Sequence, residues 1–124
     1  MNFLIVDDAE HVRSSLRAVL ELETGWRVSG DTPDPRMATA LTHALRPDVV
    51  LLDAHLPGVD AIALVEELKE RAAVVLLTVH DSPVLQDQAR LHGLDLCLTK
   101  SAGVDELLCA LKDAFARPLA VARP

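Results

Sequence analysis

Aromatic side chains are nearly missing from this chain: 124 residues include Phe3, Trp26 and Phe115 and no tyrosine. The interior must therefore be aliphatic, filled by Leu, Val and Ala. Cysteine is also scarce. Cys97 and Cys109 form no CxxC and no Cys/His ligand spacing, which excludes a disulfide framework and a zinc finger. Both lie in apolar stretches and read as reduced core thiols of a protein in a reducing compartment. Basic charge is short as well. Twelve Lys and Arg stand against nineteen Asp and Glu, for a net charge of −7. A domain so acidic is not built to grip nucleic acid, because phosphate contacts need clustered cations. No apolar run approaches the ~18 residues of a membrane span. The start, MNFLIVDD, lacks a basic segment before its short apolar run and does not read as a signal peptide, so the expected location is cytoplasmic.

The length corresponds to one domain, which buries roughly two thirds of its unfolded surface without staples. Short apolar runs alternate with longer amphipathic stretches. Strands are expected at Asn2–Val6, Trp26–Gly30, Asp48–Leu52, Ala73–Leu77 and Asp95–Leu98. Between and after them lie helical patterns. Ala9–Glu23 spaces Val12, Leu16, Val19, Leu20 and Leu22, and Pro35–Leu45 carries Met37, Ala38, Leu41 and Ala44 before Pro47. Asp60 caps a helix running to about Arg71, and Ser82-Pro83 starts another that ends near Gly93. Val104–Ala116 forms the last, with Leu107, Leu108, Leu111 and Phe115 on one side. Continuous apolar strands, each followed by a helix, predict a doubly wound parallel α/β sheet covered on both faces. Residues 1–117 make the domain, and 118–124, with two prolines, read as a linker or tail.

Five polar residues fall at the carboxyl ends of these strands, where an open α/β sheet places its site. Asp7 and Asp8 follow the first strand, Asp53 the third, Thr78 the fourth, and Lys100 the fifth. Three converging carboxylates repel one another unless a cation compensates them, and Mg²⁺ takes carboxylate and carbonyl oxygens. A carboxylate beside such a metal and a lysine is suited to attacking a phosphoryl group, with Thr78 as a neutral donor.

The segments FLIVDD, VVLLDAHLPGVD, VVLLTVHD and LCLTKS resemble a response-regulator receiver domain of two-component signalling, over residues 2–116. The resemblance implies a flavodoxin-like sheet of order 2-1-3-4-5. It implies that Asp53 is the phosphoacceptor of a phosphorelay, taking its phosphoryl group from a histidine kinase or phosphotransfer protein. Asp8 would ligate Mg²⁺ directly and Asp7 through water, with Asp53 and the main-chain carbonyl of His55 completing the protein ligands. Thr78 and Lys100 would bind the phosphoryl group and carry the switch. The resemblance places His55 and His80 at positions that tune dephosphorylation in the family; as imidazoles they suit zinc better than Mg²⁺. A homodimer or effector contact is expected on the face of the fourth helix, fifth strand and fifth helix, with a DNA-binding effector outside this chain.

Three positions depart from the family pattern. Cys97 stands where the switch aromatic is usual, Ser101 where a proline often follows the lysine, and Val79 where a small residue follows the threonine. They leave a second reading, a degenerate receiver that works as a phosphorylation-independent interaction module. An enzyme reading, a phosphatase with Asp53 as nucleophile, lacks its second acid two residues on, where His55 stands. No Gly/Ser/Thr-rich phosphate loop follows the first strand, which argues against a flavin carrier.

Overall fold

The structure, a computed structural model, describes residues 1–79, 83–92, 96–100 and 103–116. Its strands are β1 (Asn2–Val6), β2 (Arg27–Thr32), β3 (Val49–Asp53), β4 (Ala73–Thr78) and β5 (Leu96–Thr99). Its helices are α1 (Glu10–Leu20), α2 (Ala38–Leu45), α3 (Ala61–Leu68), α4 (Pro83–Leu91) and α5 (Val104–Leu111). A 3₁₀ turn at Pro35–Met37 leads into α2, and a wider π-type turn at Lys112–Ala116 follows α5.

The sheet order is β2-β1-β3-β4-β5, the order the family resemblance implies, and every pairing is parallel, as the apolar strand runs predict. Alternation along the strands divides the core in two. Leu4, Val6, Val50, Leu52, Val74 and Leu76 face one way, where Ala38 of α2 and Leu64, Val65 and Leu68 of α3 cover them. Phe3, Ile5, Val49, Leu51, Val75 and Leu77 face the other, under Leu16 and Leu20 of α1 and Leu107 and Leu111 of α5. The continuous apolar runs thus reflect burial of both sheet faces. Phe3 and Trp26, two of the three aromatics, meet with ring centroids 5.0 Å apart.

Several expectations shift. The second strand begins and ends later than Trp26–Gly30, because a bulge between Phe3 and Leu4 pairs Phe3 with Val28 but Leu4 with Gly30, extending the ladder to Thr32. At Gly30 a Cβ would lie 2.8 Å from Cδ1 of Leu45 on the overlying α2, the end of a partly exposed side chain that would have to move aside. The first helix stops at Leu20, so Leu22 lies beyond it and is 79% exposed. On α2 Ala38 and Thr42 are buried and Leu41 packs against the core, whereas Ala44 and Met37, the residue before the helix, are exposed. Thr42 Oγ1 is buried without a hydrogen-bond partner. Arg46, at φ 50°, turns the chain out of α2 just before Pro47, which disfavours helical geometry in its predecessor. Cys97 is half-buried and Cys109 exposed, so the latter is no core thiol. The proposed Ser82 cap lies outside the described residues. Asp60 does cap α3, its carboxylate accepting from the Ile62 and Ala63 amides.

Candidate acidic phosphoacceptor site

Register assembles the site. Val6 pairs with Leu52, Leu52 with Leu76 and Leu76 with Cys97, so these four stand in one row across the sheet. The next residues, Asp7 and Asp53, therefore leave the sheet side by side, and Thr78 pairs with Thr99 one step further on. Lys100 follows directly. Four strand ends thus deliver their polar residues to one edge.

Asp7, Asp8 and Asp53 bring carboxylate oxygens within 4.8 Å of one another. Asp7 and Asp53 are buried and Asp8 is exposed at the mouth. Asp7 Oδ1 accepts the Ala9 amide at 2.9 Å, which serves the open start of α1, where Ala9 itself makes no side-chain cap. Asp7 Oδ2 accepts Lys100 Nζ at 2.6 Å, and the same ammonium lies 3.5 Å from Asp53 Oδ2. Asp53 Oδ1 accepts the His55 amide at 3.0 Å. Both oxygens of the candidate phosphoacceptor are therefore held.

The donor set is all carboxylate oxygen, and among the described residues one ammonium, that of Lys100, reaches two of the three acids, Asp7 and Asp53. Two negative charges remain uncompensated, and a hard divalent cation suits both the charge and the ligand chemistry. Among the described residues, Asp7, Asp8 and Asp53 are placed so that they could hold such a cation. The exposed acid leaves room for the waters that ion retains.

Two partners were not foreseen in the sequence. His55 is exposed, yet its ring Nε2 lies 2.8 Å from the Oγ1 of Thr78, a residue 1% exposed. Arg13 donates to the main-chain carbonyl of Asp7 at 2.7 Å and to Asp31 Oδ1 at 3.0 Å, tying the loop that bears the acids to β2. Arg13 and Arg17 are four apart on α1, and that spacing was the available signal. His80 and Ser101 lie outside the described residues. Cys97 borders a groove of about 220 Å³ between α4, β5 and α5, with Gln86, Glu106 and Ala110.

The Arg17 guanidinium beside Asp31 holds its carboxyl below the ordinary 3.8, with Arg13 adding to this and partial burial opposing it. A depressed folded value means the pair stabilises the fold above the unfolded value and loses that contribution as pH falls through the folded one. Asp31→Asn should therefore lower the melting temperature at neutral pH and flatten its decline in acid. A decline as steep as the parent's below pH 3.8 would contradict this role of Asp31.

The family model for the response regulator receiver domain matches residues 3–112. The response regulator UvrY of Escherichia coli (strain K12) is 29% identical over 118 residues, covering 93% of this chain and 54% of that protein. The transcriptional regulatory protein UhpA of the same strain is 32% identical over 107 residues, covering 86% and 55%. The chain thus spans about half the length of these curated relatives. Among solved structures, the signal receiver domain of the response regulator NarL from Mycobacterium tuberculosis is 29% identical with a TM-score of 0.81, covering 90% of this chain and 93% of that one. A LuxR-family two-component response regulator from Aurantimonas sp. SI85-9A1 is 27% identical with a TM-score of 0.85, covering 93% and 84%. Among the described residues no helix is long and apolar enough to cross a membrane.

Proposed function

The chain belongs to the response-regulator receiver family, and from that premise we propose that it accepts a phosphoryl group on Asp53 from the phosphohistidine of a sensor kinase or phosphotransfer protein. It is a receiver domain of a two-component response regulator. The observation that carries the phosphoacceptor reading is the convergence of three carboxylates with Lys100 at one sheet edge.

In this reading a carboxylate oxygen of Asp53 attacks phosphorus. An O–P bond forms, the donor's P–N bond breaks, and the freed imidazole takes up a proton. The product is an acyl phosphate. Lys100, already 3.5 Å from Asp53 Oδ2, neutralises charge on the equatorial oxygens, and Thr78 donates its hydroxyl to one of them. Mg²⁺ held by Asp8, Asp7, Asp53 and the His55 carbonyl would supply the remaining positive charge. The His55 amide keeps Asp53 oriented.

The output reading rests on the groove beside Cys97. A thiol offers little differential contact between two states, so the outward relay through β5 is weak. The face of α4, β5 and α5 would meet a second copy or an effector, with residues 118–124 as the connection toward a DNA-binding unit outside this chain. Cys97 and the exposed Val79 favour the second reading, an interaction module indifferent to phosphate.

One experiment separates the two. Incubated with acetyl phosphate and Mg²⁺, the protein should gain a single phosphoryl group by intact mass, and Asp53→Ala should gain none. Uptake that persists in Asp53→Ala would overturn the assignment. No uptake by the parent would favour the phosphate-independent module.

A further inference from the structure

Thr78 is buried at the end of β4, while His55, in the loop after β3, is exposed. Chain separation is 23 residues, yet the ring Nε2 and the threonine Oγ1 lie 2.8 Å apart. The loop is pinned close by, because the His55 amide donates to Asp53 Oδ1 at 3.0 Å. One residue thus touches the phosphoacceptor carboxylate with its main chain and the phosphoryl-binding hydroxyl with its side chain.

A threonine hydroxyl carries one proton to donate. If Nε2 receives that proton, the same hydroxyl cannot simultaneously donate to a phosphoryl oxygen. We infer that His55 is a latch: its Nε2 accepts the Thr78 hydroxyl in the resting domain, and a phosphoryl group on Asp53 must take that hydroxyl away. The inference rests on the phosphoacceptor reading and adds to it a regulator of the same site. His55 is a positioning residue, acting through Thr78. It sets how readily the resting domain yields to the phosphorylated one, with no change in the groups that bind the phosphoryl oxygens.

The size of the effect follows from the bond. A neutral hydrogen bond exchanged for another contributes little net free energy, which corresponds to about 2- to 10-fold in an equilibrium constant. The latch is therefore a bias. His55 is exposed and belongs to neither core cluster, so its replacement opens no cavity there.

The test is the apparent affinity for beryllofluoride, a phosphoryl mimic, in the presence of Mg²⁺, followed by the Thr78 amide in NMR spectra. His55→Ala should bind about 2- to 10-fold more tightly than the parent. His55→Gln, whose amide oxygen can accept the same hydroxyl, should return toward the parent. With Thr78→Val in the background, His55→Ala should change nothing, which a general loosening of the loop would not reproduce. Affinity that is unchanged or weaker in His55→Ala, or an equal gain with valine at 78, overturns the latch. A parent that binds no beryllofluoride overturns the phosphoacceptor reading and the latch together. A parent that binds it while His55→Ala has no effect overturns the latch alone.

Discussion

Lys100→Met should lower the unfolding free energy by about 2–4 kcal/mol at neutral pH without divalent cations. The ammonium is 2.6 Å from Asp7 Oδ2 and 3.5 Å from Asp53 Oδ2. The Asp7 and Asp53 side chains are 1% and 7% exposed, so solvent screens them little. Removing one partner of a buried pair leaves the other charge desolvated and unpaired, which costs roughly 3–5 kcal/mol; the 20% exposure of the lysine side chain places this case at the lower end. Here two carboxylates are stranded, and they also repel each other. Methionine keeps the apolar stem and removes only the charge. Urea denaturation of both proteins gives the difference as a shift in midpoint at constant slope. Millimolar Mg²⁺ should recover part of the loss, because a cation that binds only the folded state stabilises it by mass action. A loss below about 1 kcal/mol, or one indifferent to Mg²⁺, would show that the acids are not held together by this ammonium.

Leu51→Ala should cost about 2–5 kcal/mol. Leu51 is fully buried in the central strand β3, paired with Ile5 on one side and Val75 on the other. It faces the core covered by α1 and α5. The rigid strands and helices around it cannot close over a cavity of three methylene-sized groups, so the lost transfer energy and the cavity add. Two residues later the strand ends at Asp53, so the same truncation loosens the frame that aims the carboxylate. Thermal unfolding measures the first effect, and a reduced rate of phosphoryl uptake from acetyl phosphate measures the second. A stability change under about 1 kcal/mol would mean that the site collapses freely and that the sheet centre is softer than its burial implies.

Both effects arise where tertiary placement acts on residues already conspicuous in the sequence. Asp7, Asp8, Asp53, Thr78 and Lys100 were visible because strand ends are marked by abrupt changes from apolar runs to polar residues. The helical faces were less so. The apolar pattern of Met37, Ala38, Leu41 and Ala44 held in part: Ala38 is buried and Leu41 packs against the core, but Thr42 also turns inward, and Met37, just before α2, is 45% exposed. A short helix entered through a 3₁₀ turn has too few residues for its phase to be read from spacing. Cys109 was placed inside by its apolar neighbours, but α5 buries Leu107 and Leu111 and leaves Cys109 exposed.

The sequence by itself determined the α/β architecture, the order of its elements and the identity of the polar residues at the strand ends. Hydrophobic burial is non-directional and is written locally as runs and periods, so a single chain segment reveals it. Only the tertiary structure decided that Lys100 spans 93 positions to Asp7, that Arg13 supports the acid loop from α1, and that His55 meets Thr78. Hydrogen bonds and ion pairs act over about 3 Å and depend on direction, and no local pattern records which distant side chains arrive within that reach.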